Sequence, residues 1–110
     1  MKTQSNDNEK LLINETFIVD HSVNDKWLQW MKSKFIPLLE DFDFVSDIIL
    51  SKIHAGYNPD GENYALQFQI DKEKVDSLLE DENYTELRKK LDSDYKDKYA
   101  SFRTTMSIIP

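Results

Sequence analysis

Apolar and polar positions alternate strictly through the stretch Tyr64-Ala65-Leu66-Gln67-Phe68-Gln69-Ile70. A period of two predicts a β-strand whose two faces differ in chemistry. One face carries Tyr64, Leu66, Phe68 and Ile70, and the other carries Ala65, Gln67 and Gln69. We therefore expect a sheet with one apolar side that carries helices and one half-polar side that needs a different cover.

Three further segments have strand patterns: Leu11 to Asp20, Phe44 to His54, and Tyr99 to Ile109. In the first of them Glu15 shares a face with apolar residues, so it either lies near an open end of the strand or is paired. In the second, two adjacent isoleucines leave the buried face undecided. Between the second segment and the Tyr64 strand, Pro59 and Gly61 favour a type I turn, which predicts an antiparallel hairpin.

Two helical regions lie between the strands. Ser22 and Asp25 form a potential capping box for a helix that runs to about residue 36, where Pro37 ends or kinks it. Trp27, Leu28, Met31 and Phe35 fall on one stripe of this helix.

In the second region, Asp71 is a potential cap for a short helix. Asn83 is the potential cap of a longer helix that runs to about Lys96. The mixed charges of this longer helix, Arg88 among them, indicate a solvated face.

The order of elements predicts an α+β fold, a ferredoxin-like βαββαβ sandwich in which both helices cover one face of a four-stranded antiparallel sheet. The opposite face is uncovered in a monomer. A second copy packed on that face would explain its mixed character, so a homodimer is predicted. The residues expected there are Asn14, Thr16, Ile18, Gln67, Gln69, Arg103, Thr105 and Ile109.

Length, charge and composition limit the number of domains, the partners and the location of the protein. Residues 1–9 are polar and patternless, which predicts a disordered tail, and residues 10–110 are predicted to form a single domain. The net charge of −7 disfavours nucleic acid and anionic membranes as partners. No apolar run approaches the roughly 18 residues of a membrane span. The chain has no cysteine, so a reducing cytoplasm is the expected location.

Several short stretches resemble a known family: Trp27-Leu28-Gln29-Trp30-Met31, Phe35-Ile36-Pro37, Tyr64-Ala65-Leu66-Gln67 and Tyr99-Ala100-Ser101-Phe102-Arg103-Thr104. Across residues 10 to 109 the chain resembles the domain of unknown function 4286 family of short bacterial proteins. The resemblance implies the dimeric α+β barrel superfamily, whose members include antibiotic-biosynthesis-type monooxygenases and muconolactone-isomerase-like enzymes. A shared fold does not imply a shared reaction.

Eight residues are candidates for a pocket or an interface: Trp27, Trp30, His54, Tyr64, Gln67, Gln69, Phe102 and Arg103. Arg103 is singled out because an arginine inside a strand needs acceptors. Those acceptors belong either to a hydrogen-bonded network across the dimer interface or to a bound anion. His21 and His54 lack convergent ligands for a metal, although a role in acid–base chemistry stays open.

The sequence favours a cytoplasmic homodimer that acts as a binding or interaction module without catalysis. A cofactor-free monooxygenase- or isomerase-like enzyme acting on a small organic molecule is the alternative. A third possibility is a domain that binds an acid in the barrel lumen through Arg103. No metal and no cofactor is expected in any of the three.

Overall fold

One antiparallel sheet organises the computed structural model, which describes residues 9–54, 56 and 58–110. Its strands are β1 (Lys10–Val19), β2 (Val45–Lys52), β3 (Glu62–Asp71) and β4 (Tyr99–Ser107), in the spatial order β2-β3-β1-β4. This arrangement confirms the predicted α+β, ferredoxin-like fold, and β2 and β3 pair as the predicted hairpin. The predicted tail at residues 1–9 lies outside the described residues except for Glu9, whose carbonyl accepts a 2.9 Å bond from the Lys72 N–H.

The first helical region is one continuous run made of α1 (Asn24–Trp30), a π-helical segment (Met31–Phe35) and α2 (Ile36–Glu40). The helix therefore continues past Pro37 and does not end near residue 36, so of the two predicted alternatives, an end or a kink, the end is wrong. Proline lacks a backbone N–H, and its ring would clash with the carbonyl four residues earlier. The Ile36 N–H bonds to Met31 O, five residues back, so the π segment widens the helix where the ring must fit.

The second region contains α3 (Val75–Leu79) and α4 (Glu82–Asp94). Asp81 caps α4 by accepting from the Tyr84 N–H at 2.9 Å, so the predicted cap at Asn83 is wrong. No helix in the described ranges is long and apolar enough to cross a membrane.

The other two predicted caps are also wrong, because neighbouring groups compete for the same atoms. Asp20 accepts from the backbone N–H of Ser22 at 2.9 Å and also from its hydroxyl. The Ser22 hydroxyl is therefore a donor rather than the acceptor that a capping box requires. Asp71 makes no capping bond and instead lies 3.1 Å from the Lys10 ammonium nitrogen.

The core fills the space between the helices and one face of the sheet. Trp27, Met31, Phe35 and Leu39 point into it from the first helical run, four residues apart. The Trp27 ring lies 5.1 Å from the ring of Phe17 on β1 and 5.1 Å from that of Tyr64 on β3. The predicted core faces of β1 and β3 are confirmed by burial: Ile13, Phe17, Val19, Tyr64, Leu66, Phe68 and Ile70 are all buried.

A β-bulge interrupts β2. Between the paired residues Ser46–Gln69 and Ile49–Gln67, two residues of β2 stand opposite one residue of β3. The first of the two, Asp47, has a positive φ of 54°.

The bulge decides which residues of β2 are buried. Val45 is buried before it, whereas Ile48 within the bulge and Leu50 after it pack against the core. Ile49 is turned to the other face of the sheet and is 54% exposed. The extra residue therefore accounts for the adjacent isoleucines whose facing the sequence left undecided.

The face of the sheet away from the helices is uncovered, and we call it the open face. It carries Leu12, Asn14, Thr16, Ile18, Ile49, Ala65, Gln67, Gln69, Ala100, Phe102, Thr104 and Met106. Arg103 pairs with the buried Glu15 in the β1–β4 ladder and therefore lies on the helix side. The prediction that Arg103 and Thr105 lie on the open face is wrong, and Ile109 lies beyond the end of β4.

Candidate functional site

A buried carboxylate lies at the centre of the sheet, under α4. Glu15 on β1 is only 4% exposed and is surrounded by apolar core residues. Arg88 from α4 donates to both of its oxygens, at 2.7 Å and 2.8 Å, in a bidentate arrangement. The Ser101 hydroxyl on β4 donates a third bond at 3.0 Å. Of the two interpretations that the sequence left open, Glu15 is therefore the paired one.

Arg88 was missed by the sequence analysis, which assigned it to the solvated face of α4. Its guanidinium carbon lies 5.9 Å from the Phe35 ring centre and 6.0 Å from that of Tyr84. Burial alone would lower the pKa of Arg88, but the hydrogen bonds and charge of Glu15 more than compensate and raise it. Arg88 follows Tyr84 by four residues and precedes Leu91 by three, so helical spacing already placed it on the apolar stripe.

A second arginine extends the cluster towards solvent. Arg103 on β4 donates from Nη2 to the Tyr84 phenol oxygen at 2.6 Å. The same nitrogen lies 3.8 Å from Glu15 Oε1, which is an ion pair without a hydrogen bond. The Arg103 side chain is 29% exposed, whereas that of Glu15 is 5% exposed. Arg88 is exposed to a similar extent, 27%, so the two arginines form the solvent side of the cluster and Glu15 its buried side.

Tyr99 closes the same layer at the beginning of β4. Its hydroxyl donates to the carboxylate of Asp92 on α4. Burial raises the pKa of Tyr99, and the bond and charge of Asp92 raise it further. Tyr99 therefore stays protonated at neutral pH and ties the end of α4 to β4.

Glu15, Arg88, Ser101 and Arg103 border a cleft of about 510 Å³ between the α3–α4 region and β4. Its lining combines three charged residues, three hydroxyl-bearing residues and two apolar residues. The residues are Glu15, Leu79, Tyr84, Thr85, Arg88, Ser101, Phe102 and Arg103. We call this feature the β4 cleft. Its volume falls within the roughly 300–1,000 Å³ typical of small-molecule sites.

The family model for Domain of unknown function (DUF4286) matches residues 10–109. The chain belongs to the DUF4286 family. The match covers all four strands and all the helices named above, which confirms the resemblance seen in the sequence. Among curated proteins, no sequence matches this chain significantly.

Solved structures show what fold the DUF4286 chain shares with others. HapK from Hahella chejuensis superposes with a TM-score of 0.67 at 12% identity, covering 91% of this chain and 92% of that one. An ethyl tert-butyl ether D family protein from Bacillus halodurans gives 0.63 at 10% identity, covering 86% and 96%. The ActVA-Orf6 monooxygenase from Streptomyces coelicolor, solved with Nanaomycin D, gives 0.61 at 17% identity and 94% of each chain. At these identities the likeness establishes the fold alone.

The structure separates the eight candidate residues of this DUF4286 protein into several places, and only Phe102 and Arg103 line the β4 cleft. Gln67 and Gln69 lie on the open face, as predicted. His54 is exposed and follows the end of β2. The assignment of these residues to a pocket or interface therefore stays a prediction for the residues away from the cleft.

The aromatic candidates belong to the packing between helix and sheet. Trp27 is fully buried, and its indole N–H meets no acceptor among the described residues. Tyr64 donates to Asn24 Oδ1 at 2.5 Å, and burial raises its pKa. Trp30 is half-buried, with its ring centre 5.7 Å from that of Phe35. Trp27 and Trp30 thus pack in or against the core, whereas Tyr64 also borders a smaller cleft beside Asn24 and Leu50.

The two histidines lie away from the β4 cleft. His21 Nε2 lies 3.1 Å from Asn58 O, and its Nδ1 lies 3.6 Å from Glu62 Oε2, near the hairpin turn. Within the described ranges, no group of three or more histidine, aspartate or glutamate side chains is placed to hold a metal ion.

Proposed function

We propose that this DUF4286 protein is a homodimeric binding protein that holds a small organic molecule in the β4 cleft. The observation that carries the proposal is the convergence of Arg103, Tyr84 and Ser101 on a cleft of about 510 Å³. Ligand sites typically combine an apolar lining with a few placed polar groups, and Leu79 and Phe102 supply the apolar part here.

The arrangement supports binding more directly than catalysis. Arg88 and Ser101 together donate three hydrogen bonds to Glu15, so this carboxylate is held in place and occupied. A general base needs a lone pair directed at the substrate within hydrogen-bond reach. Glu15 in this state serves to hold the two groups that bind it rather than to accept a proton.

The open face supports the homodimer. No residue among positions 12–18 of β1, 65–69 of β3 and 100–106 of β4 that faces this side is charged, although 32% of the chain is. Phe102 is 61% exposed and Ile49 is 54% exposed on this face. Uncharged surface with exposed aromatic and aliphatic side chains is typical of protein–protein contacts. A second copy of the sheet supplies a matching uncharged surface by symmetry.

Light scattering tests the dimer. We expect a mass of two chains for the parent and of one chain for Asn14→Lys, because a two-fold contact between open faces brings the two new charges into a dry interface. Gln29→Lys adds the same charge on the exposed outer side of α1 and is the matched control, expected to stay dimeric. A parent protein that is monomeric at micromolar concentration would overturn this part of the proposal.

Amide NMR spectra of isotope-labelled protein test the cleft, with a panel of neutral and charged aromatic fragments as probes. Bound fragments should shift the amides of Leu79, Thr85, Ser101 and Phe102. Thr85→Trp, which fills the cleft, should remove those shifts, and Thr85→Ser should keep them. A panel in which no fragment shifts these amides would refute ligand binding in the cleft.

A cofactor-free enzyme remains the second candidate, favoured by the size of the cleft and by the likeness to the ActVA-Orf6 monooxygenase solved with Nanaomycin D. The candidates Trp27 and Trp30 do not line the cleft, so catalysis would have to use the cluster around Arg103. Incubating cleft-binding fragments with protein and following oxygen uptake and product formation distinguishes the two functions. Turnover that Thr85→Trp abolishes would favour the enzyme.

Partners and location follow from charge and composition. With a net charge of −7 and no cysteine, we propose a cytoplasmic protein that does not bind nucleic acid. Localisation of a tagged full-length chain tests the first part, and a mobility-shift assay at low salt tests the second.

A further inference from the structure

We infer that the ligand of the β4 cleft is a small organic carboxylate, recognised by the guanidinium of Arg103. The inference rests on the proposed function and names the chemical class that the cleft selects. It also moves Arg103 from the predicted barrel lumen to the helix side of the sheet, where the register with Glu15 places it.

Among the residues that line the cleft, the charges of Glu15, Arg88 and Arg103 leave one positive charge over. Glu15 and Arg88 neutralise each other through their bidentate contact. Arg103 adds a second positive charge, and its nearest carboxylate oxygen is 3.8 Å away on a group that already accepts three hydrogen bonds. In a partly buried place an unbalanced charge interacts more strongly than at the surface. The cluster therefore attracts one negative charge into the cleft, although the chain as a whole is acidic.

The two arginines differ in how fully their donors are used. Arg88 donates from both terminal nitrogens to Glu15. Arg103 donates from Nη2 to Tyr84 and to no other atom of the described residues. A guanidinium has five N–H donors in a planar fork that matches a carboxylate. An arginine with an unused fork and a 29% exposed side chain is placed to receive a ligand.

The apolar part of the cleft defines the rest of the molecule. Leu79 borders the cleft and is 43% exposed, which is high for a large apolar side chain. Phe102 lies on the outermost strand between two residues of the helix-side cluster and borders the cleft. A carboxylate attached to a flat apolar body would contact Arg103 with its charged end and Leu79 with its body, with Phe102 only at the rim of the cleft.

Matched pairs of probes test the inference: benzoate against benzamide, and phenylacetate against phenylacetamide. Each pair has nearly the same shape and differs in charge. In NMR titrations at neutral pH, the acid of each pair should bind about tenfold or more tightly than its amide, as expected for a charge-assisted contact.

Arg103→Met should weaken benzoate binding by about tenfold or more and leave benzamide binding unchanged, because only the acid uses the guanidinium. Lys89→Met, which removes one positive charge from the exposed side of α4, is the matched control and should bind both probes like the parent. If Arg103→Met does not give a folded amide spectrum, Arg103→Gln replaces it, with the same expectation.

The outcomes separate the inference from the proposed function. Equal binding of acid and amide in the cleft, insensitive to Arg103, would overturn the inference and leave the binding function intact. Binding of benzoate that Lys89→Met weakens as much as Arg103→Met would also overturn it, because it would show a general attraction of anions. The absence of any probe from the cleft would refute the proposed function itself.

Discussion

The Glu15–Arg88 pair offers the sharpest test of how the cleft is held together. Arg88→Met keeps an unbranched side chain against Phe35 and Tyr84 but leaves the carboxylate, which is 4% exposed, without its bidentate partner. Removing one partner of a buried pair typically costs about 3–5 kcal/mol. Ser101 still donates one bond to Glu15, so we expect a loss at the lower end, about 3 kcal/mol.

The reverse substitution should cost less, because the two partners are unequally buried. Glu15→Gln leaves Arg88, whose side chain is 27% exposed and can turn towards water. We expect a loss of about 1–2 kcal/mol for this variant. Glu15→Met combined with Arg88→Met removes both charges, and replacing a buried pair by apolar groups is often neutral, within about 1 kcal/mol. The double variant should therefore be more stable than Arg88→Met alone.

Urea unfolding followed by fluorescence measures these differences, provided that the slope against urea is unchanged. The loss of about 3 kcal/mol in Arg88→Met should lower the melting temperature by about 10 °C or more. Lys89→Met is the control, with an expected change within about 0.5 kcal/mol. If Arg88→Met loses no more than this control, or if the double variant is less stable than Arg88→Met alone, the pair does not stabilise the site in this way.

Three further predictions concern the frame around the site. Gly61→Ala should lower the free energy of unfolding by about 3 kcal/mol, because a Cβ at this position would lie 2.0 Å from the Val19 carbonyl oxygen. Gly56 has open space around it, so Gly56→Ala should lower it by only about 1 kcal/mol. Similar melting temperatures for the two would contradict this. Asp47 has a positive φ of 54° at the bulge, a conformation that glycine adopts easily and valine does not. In urea unfolding, Asp47→Gly should therefore be neutral or slightly stabilising and Asp47→Val clearly destabilising. The reverse order would argue against the bulge. Because the pKa of Tyr99 is raised in the folded protein, its contribution to stability is complete below pH about 10 and progressively lost above it. The parent should therefore lose stability more steeply than Tyr99→Phe between neutral and alkaline pH. Equal slopes for the two proteins would refute this.

The strands in the middle of the sheet could be predicted because burial imposes a strict period on them. β1 and β3 each have neighbours on both sides, and their alternation identified the buried faces correctly. β4 is an edge strand that the helices cover only partly, so Ser101 and Arg103 face the helix side while Phe102 faces outward. Polarity therefore indicated the wrong face for Arg103, and only pairing with Glu15 corrects it.

The predicted helix ends were wrong where the sequence permits several local hydrogen-bonding arrangements. The residues around Ser22 offer more than one carboxylate for the same N–H groups, and Asp20 is the one that binds them. Pro37 predicts an interruption, but a π segment satisfies the same constraint without ending the helix. The sequence shows that a helix start must be capped or a proline accommodated, whereas tertiary packing selects how this is done.

The sequence indicated the two charged positions of the site but not their pairing. Glu15 stood out as a charge on an apolar strand face, and Arg88 occupies the matching position on an apolar helix stripe. Neither signal alone specifies a partner, because their positions are 73 residues apart in the chain. A search for opposite charges on two buried faces that the fold brings together would have paired them.

A crystal structure of the protein grown with excess benzoate tests the central claim most directly. The account predicts the carboxylate within about 3 Å of the Arg103 guanidinium. It also predicts the ring against Leu79, and an unchanged bidentate contact between Glu15 and Arg88. Benzoate bound only elsewhere, or bound in the β4 cleft with its carboxylate turned away from Arg103, would contradict the account.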